Sequence, residues 1–485
     1  MTKFHALLHR IPLLLVTVLL TMLPSLQAFA ASLPQLEKLP VGERWFGLFF
    51  NDERAGFSCV KIRKERSGYE LHSDSGVKMS SFAFSRKATI RETYNVNPDL
   101  TLRSFAVDQI IDGKEMVLKG ETSPAGVKTV EDSAGSRKER FLKAKGVVYP
   151  PMAMNLIPLL KGAEPGRVYG VSMLDPEAIK IKKVKITVIG PETVGGTKTI
   201  HLRNDLYPVD NDIWIDYEGN TIRESVRDGW IVTQFEGEKT VRKYIAMSAV
   251  AKKDFIIDYS RVRLGETLSG PSKVKRMVLE LTDIPADTLI PQGQFQKAEK
   301  NGGGKMILTV DNSVPASTNT IINNKERMNY LEATDHIPSG NPALLAKKTE
   351  IVGNEKDPEK IIKKLVTWVA AHIKDNAAAS GSAPDAIRKG EGDDLAHARL
   401  YASLARAAGI PTRIALGLVY IQDKGFLYHC WAESYSGRWL PVDPTSGEAP
   451  VDSTHVKLVE GDRAEDFVAL SGFVGKIKAK MLEHK

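Results

Sequence analysis

Apolar and polar residues alternate through most of the first half of the chain. From about Trp45 to Ile245 the alternation is cut by turn signals roughly every ten residues, which predicts consecutive antiparallel strands. Trp45–Phe50 and Gly56–Ile62 flank the polar turn Asn51-Asp52-Glu53-Arg54. Asp112-Gly113 separates Phe105–Ile111 from Lys114–Leu118, and Gly219-Asn220 separates Ile213–Tyr217 from Thr221–Val226. Both dipeptides suit tight hairpin turns. Met152–Leu160 reads as one helical break. These signals predict a large, curved, mostly antiparallel β-domain over residues 31–252.

A second β segment runs from about Lys253 to Asp311, with Val274–Leu281 and Lys305–Val310 as its clearest strands. It predicts a small β-domain over residues 253–325. Asn301-Gly302-Gly303-Gly304-Lys305 lacks phosphate-loop spacing, and Met306 follows the lysine, so it reads as a loop between strands.

From Asn329 the pattern becomes α/β, in a domain over residues 326–485. Asp357-Pro358 supplies a helix cap and first-turn proline. Ile361, Ile362, Leu365, Trp368, Val369 and Ile373 follow at helical spacing. A loop rich in Ala, Ser and Gly runs from Asn376 to Pro384. A second helix, Asp394–Ala408, ends at Gly409 with Pro411 beyond. Strands are expected at Arg413–Tyr420, Phe426–Tyr435 and Trp439–Val442. Ala464–Lys485 reads as an amphipathic helix, with Phe467, Leu470, Phe473, Val474 and Ile477 on one stripe. The expected fold class is multidomain α+β: N-terminal antiparallel β domains, then an α+β domain.

Composition adds little to this outline except at the N-terminus. The 485 residues are 42% hydrophobic and 26% charged, enough for several cored domains. Lys3 and Arg10 precede the apolar run Ile11–Leu20, and Ala28-Phe29-Ala30 offers a cleavage site. Residues 1–30 are therefore expected to be a signal peptide. Their removal takes two positive charges and no acid from a net +8. The apolar run is short for a bilayer span, and no second stretch is long enough to cross. The expectation is an exported protein with no transmembrane segment after signal removal, most simply periplasmic. The scattered lysines Lys180, Lys182, Lys183 and Lys185 suggest a solvent-facing strand, and no nucleic-acid module is present. Cys59 and Cys430 read as two small buried hydrophobes rather than a disulfide.

The C-terminal segment carries the specific signals. Gly392-Asp393-Asp394-Leu395-Ala396-His397-Ala398 leads into Leu404–Arg413, which ends Ala407-Ala408-Gly409-Ile410-Pro411-Thr412-Arg413. Tyr428-His429-Cys430-Trp431-Ala432-Glu433 follows, then Trp439-Leu440-Pro441-Val442-Asp443-Pro444-Thr445. In this order the segments resemble the bacterial transglutaminase-like superfamily, of papain-type fold, over about Asn329 to His455. The resemblance implies a cysteine nucleophile at a helix start, a histidine base on the next strand and an orienting aspartate. A helix N-terminus lowers a thiol pKa, and its free N–H groups can receive an oxyanion. The resemblance assigns the histidine to His429 and the aspartate to Asp443. An odd-numbered turn at Ser436-Gly437-Arg438 would place both on one sheet face.

The nucleophile position holds Asp394. A carboxylate attacking an amide would have to form a mixed anhydride, and it is a far weaker nucleophile than a thiolate. Cys430 is expected to point away from the His429 face, since neighbouring strand residues alternate. Asp394 is equally suited to be a plain helix cap, as is Asp393. A metal reading from Asp394, His429 and Asp443, with His397 or Asp393, lacks a close-spaced ligand signature. No metal or cofactor is therefore expected. Trp431, Tyr435 and Trp439 suit either a groove or a core, and Glu433 either a supporting role or an exposed one.

The leading expectation is an exported, thiol-less member of this superfamily that binds peptide or protein amide ligands without efficient acyl transfer. One alternative is an amide or ester hydrolase using Asp394, His429 and Asp443. A second is an envelope lipid- or protein-binding protein acting through its β-domains, which weakly resemble bacterial envelope domains that hold apolar ligands in a half-open barrel.

Overall fold

The computed structural model describes residues 38–485 apart from 82–83, 134, 207–210, 228, 286–287, 314–321, 378 and 380. The expected signal peptide, residues 1–30, lies outside the described residues.

Fourteen strands between Gly42 and Glu236 form one sheet. Numbered along the chain, they lie in the order 8-7-6-5-4-3-2-1-14-13-12-11-10-9. Two antiparallel meanders are thus joined where the first strand, Gly42–Phe50, pairs with the last, Ile231–Glu236. The expected hairpins form. Ile111 pairs with Lys114 across Asp112-Gly113, where both turn residues have positive φ. Gly219-Asn220 links the strands Asn211–Asp216 and Thr221–Val226. The helical break also forms, as a 3-10 turn at Pro151–Leu156 and a helix at Ile157–Lys161. Its Met154 and Ile157 pack with Leu71, Tyr94 and Leu118 in a core on one face of the sheet.

Alternation was expected to reach Ile245, but the strand ends at Glu236 and Glu238–Val250 is a helix. Val241, Ile245, Ala249 and their neighbours Ala246 and Val250 recur every three or four residues, and all are buried. A second helix, Asp254–Ser260, follows. These helices carry the core across to the C-terminal half. Phe57, Val241, Phe255, Leu395, Tyr428, Cys430 and Phe467 belong to one continuous cluster.

A four-stranded sheet is ordered Gln296–Lys300, Met306–Asp311, Arg276–Thr282, Lys478–His484. Its last member corrects the expected C-terminal helix. The helix stops at Ser471, and the chain turns through Gly475, whose φ is +73°. A Cβ there would meet the Tyr259 ring at 2.5 Å. The final residues then pair with Arg276–Thr282, whose Met277, Leu279 and Leu281 are fully buried. An unpaired edge beside a buried strand gives the tail backbone partners that an isolated helical turn lacks.

The remaining unit packs four helices, Pro342–Val352, Pro358–His372, Ala383–Lys389 and Asp394–Ala407, against a second four-stranded sheet. That sheet is ordered Trp439–Val442, Gly425–Tyr435, Thr412–Ile421, Val456–Glu460. Asp357 caps the second helix by accepting from the Glu359 and Lys360 N–H groups, as its Asp-Pro start predicts. Gly409, φ +81°, ends the fourth helix.

Candidate active site

The helix Asp394–Ala407 begins beside the strand Gly425–Tyr435. Its cap is Asp393, whose Oδ1 accepts from Ala396 N–H at 2.9 Å. Asp394 is therefore not the cap, and its side chain is used elsewhere. It is 2% exposed. Its Oδ2 lies 2.7 Å from His429 Nδ1. The same oxygen accepts from Lys252 Nζ.

His429 Nε2 lies 2.9 Å from Asp443 Oδ2. The strand register explains this pairing. Tyr435 opposes Trp439 and Ala432 opposes Val442, so Asp443 continues onto the His429 face as its diagonal neighbour. Asp443 is held in turn by Thr445 N–H on Oδ1 at 2.8 Å and by Ser446 Oγ on Oδ2 at 3.2 Å. The three residues singled out in the sequence are thus brought together as a continuous Asp394–His429–Asp443 chain.

Cys430 is fully buried in the core on the opposite face, beside Leu416 and Tyr428, and is a free thiol. Burial pushes it far above the usual thiol range. It cannot stand in as the nucleophile. Cys59 is also free, so no disulfide forms. His397 faces away, with its ring nitrogens on the carbonyls of Asp393 and Ile373 at 2.9 and 3.0 Å.

Electrostatics closes the chain. Burial alone would push the Asp394 carboxyl up, but the charges of His429 and Lys252 outweigh it and hold Asp394 below the usual range. Burial opposes protonation of His429, yet Asp394 and Asp443 flank both ring nitrogens and raise it. Asp443 is held well below the carboxylate range, against burial, by His429 and His455. Asp394 and Asp443 therefore lie among His429, Lys252 and His455, an interlocked set of acids and bases. A carboxylate stabilised this way is a poorer base than an ordinary one.

Residues 346–444 match the model of the transglutaminase-like superfamily. The chain carries a transglutaminase-like domain. No curated protein matches the sequence. Among solved structures, a β-barrel-like protein of a domain family of unknown function from Brucella abortus is 13% identical with a TM-score of 0.32, over 41% of this chain and 97% of that one. A candidate cysteine protease from Cytophaga hutchinsonii is 16% identical with a TM-score of 0.28, over 44% of this chain and 86% of that one. A candidate protease from Parabacteroides distasonis is 11% identical with a TM-score of 0.21, over 80% and 68%.

Three residues of the site carry no sequence signal. Lys252 reaches the transglutaminase-like domain from the end of the helix Glu238–Val250, outside every motif. It sits at φ +50°, just past Ala249 and Val250, which are buried against the domain's own core. His455 places Nδ1 3.2 Å from Asp452 Oδ1 and Nε2 3.6 Å from Asp443 Oδ2. Burial works against its charge, but these two acids raise it to about 9. Lys457 donates to Glu433 at 2.8 and 2.9 Å and to Glu460 at 2.6 Å, while Arg413 Nε donates to Glu433 at 2.7 Å. Glu433 is thus neither exposed nor a partner of His429; it anchors a buried ionic cluster.

Arg413, Glu433 and Lys457 of that cluster, with Trp431, Trp439 and His455, line a cavity of about 240 Å³ on the His429 face of the domain's sheet. Arg413 stacks over the Trp439 ring at 4.1 Å. Ligand atoms of His429, Asp443 and His455 lie within 4.8 Å of one another, a donor set that suits a divalent ion. His429 Nε2 and Asp443 Oδ2 are already spent on each other there.

Proposed function

We propose that the transglutaminase-like domain is a non-catalytic member of its superfamily that binds peptide or protein amide groups. The observation that carries this reading is the ion pairing of Asp394, at the nucleophile position, with both His429 and Lys252. Where the superfamily places a thiolate with a free lone pair, this chain places a carboxylate whose acceptor oxygen is shared by two cations. Both ring nitrogens of His429 are engaged, Nε2 with Asp443 and Nδ1 with Asp394 and Lys252, so neither is free to take a proton from a nucleophile or water.

The pocket supports binding better than turnover. The cavity beside His455 offers indole rings, a guanidinium and carboxylates, which suit a peptide's apolar and amide groups. The N-terminal signal segment supports export, and we place the protein in the periplasm.

The experiment is calorimetric titration of short peptide amides into the full chain, followed by mass spectrometry of the same samples. Bound and chemically unaltered peptide is expected. Peptides recovered cleaved would establish the alternative, a hydrolase that uses Asp394 as base.

A further inference from the structure

The large sheet contains a second cavity, separate from the Asp394 site. It measures about 390 Å³, within the ~300–1,000 Å³ of small-molecule sites. Its walls come from neighbouring strands between Gly42 and Glu92, from Thr221–Val226 and Ile231–Glu236, and from the 3-10 turn Pro151–Leu156. Phe46, Leu48, Ile62, Leu71, Met152 and Leu156 supply the apolar surface.

Two carboxyl groups open into this cavity, Glu92 and Glu224. Glu92 Oε1 accepts from Tyr94 Oη at 2.9 Å, and Glu224 Oε1 accepts from Asn211 Nδ2 at 2.9 Å. Each Oε2 has no hydrogen-bond donor among the described residues, and neither group is in an ion pair there. Burial raises both carboxyls above their usual range. The cavity's one cation among the described residues, Arg44, donates to Asn220 Oδ1 at 2.6 Å and to the Val41 carbonyl at 3.0 Å. A half-buried acid with no direct ion-pair partner is costly to hold ionised unless a donor completes it. An ammonium group would do so. It supplies several donors, restores the ionised form of the acid it meets, and leaves its apolar chain to the Phe46–Leu71 wall.

We propose that this cavity is a binding site for an amphiphile with a protonated amine head and an apolar body. One of these carboxylates holds the head, and the apolar wall takes the chain. This goes beyond the reading of the transglutaminase-like domain and does not depend on it.

The test is displacement of the neutral fluorophore N-phenyl-1-naphthylamine from the full chain by dodecylamine, dodecanol and dodecanoate. Dodecylamine is expected to compete roughly tenfold better than dodecanoate, the factor that one good charge-assisted contact supplies. The paired substitution Glu92→Gln and Glu224→Gln should keep fluorophore binding and bring the two competitors level. Leu71→Trp, which fills the cavity, should abolish fluorophore binding while far-ultraviolet circular dichroism stays that of the parent. No fluorophore binding by the wild type, equal competition by amine and carboxylate, or unchanged discrimination in the paired glutamine variant would each overturn the proposal.

Discussion

Lys252 Nζ and Asp394 Oδ2 are hydrogen-bonded across 142 residues of sequence. The contact ties the end of a helix that follows the large sheet to the first turn of the helix that opens the candidate site. It also sets a positive charge beside Asp394 and His429.

Removing that charge should leave the buried Asp394 with His429 as its one side-chain partner among the described residues. Breaking a buried pair costs ~3–5 kcal/mol, and Lys252 retains 23% side-chain exposure, so Lys252→Met should cost about 2 kcal/mol. Urea unfolding checks this. The same loss should be much smaller in an Asp394→Asn background, where the pair is already gone. Equal losses in both backgrounds would show that Lys252 acts through something other than Asp394.

His455 gives the fold a pH limit on the alkaline side. Its folded pKa is raised to about 9, above the ~6.5 of an unfolded histidine. Its contribution is therefore complete below ~6.5 and is lost as pH rises through about 9. Thermal unfolding from pH 6 to pH 10 should show a decline on the order of 2 kcal/mol that His455→Gln flattens. Asp443 acts in the opposite direction. Its folded pKa is depressed, so its contribution is present above ~3.9 and is lost as pH falls through the folded value.

The C-terminal strand should be structural. Deleting residues 478–485 exposes the edge of Arg276–Thr282 and removes Met481, which is buried against the shared core. The truncated chain should unfold at lower urea and aggregate on concentration, because an exposed apolar edge recruits other chains. Static light scattering beside the unfolding curve checks both. An unchanged midpoint would show that the tail is dispensable.

The site's central geometry was legible because it depends on local rules. The pairing of His429 with Asp443 follows from strand alternation and a three-residue turn, and the placing of Cys430 on the opposite, buried face follows from the same alternation. Asp394 stood out because the resemblance would lead one to expect a cysteine there. What the sequence left open was which aspartate caps the helix; the structure gives that role to Asp393 and frees Asp394 for His429.

Long-range contacts were not legible. Lys252 follows a helix that was expected to continue as strand to Ile245, so nothing suggested that it points at a motif 142 residues away. His455 and Lys457 lie past the last motif, and their importance comes from acids that the fold brings beside them, Asp443 and Asp452 for one and Glu433 for the other. The tail's stripe from Phe467 to Ile477 is compatible with a helix along its whole length. Only the free edge of Arg276–Thr282, a property of the assembled sheet, turns its end into a strand.

The central claim is that Asp394 replaces the nucleophile without replacing its function. It is tested most directly by peptide-amide hydrolysis and amine incorporation by the mature chain, comparing wild type, Asp394→Asn and Asp394→Cys. The account predicts that wild type and the asparagine variant both run at the uncatalysed rate, with turnover arising, if anywhere, only in the cysteine variant. Wild-type turnover that the asparagine substitution abolishes would contradict it and make Asp394 a catalytic residue.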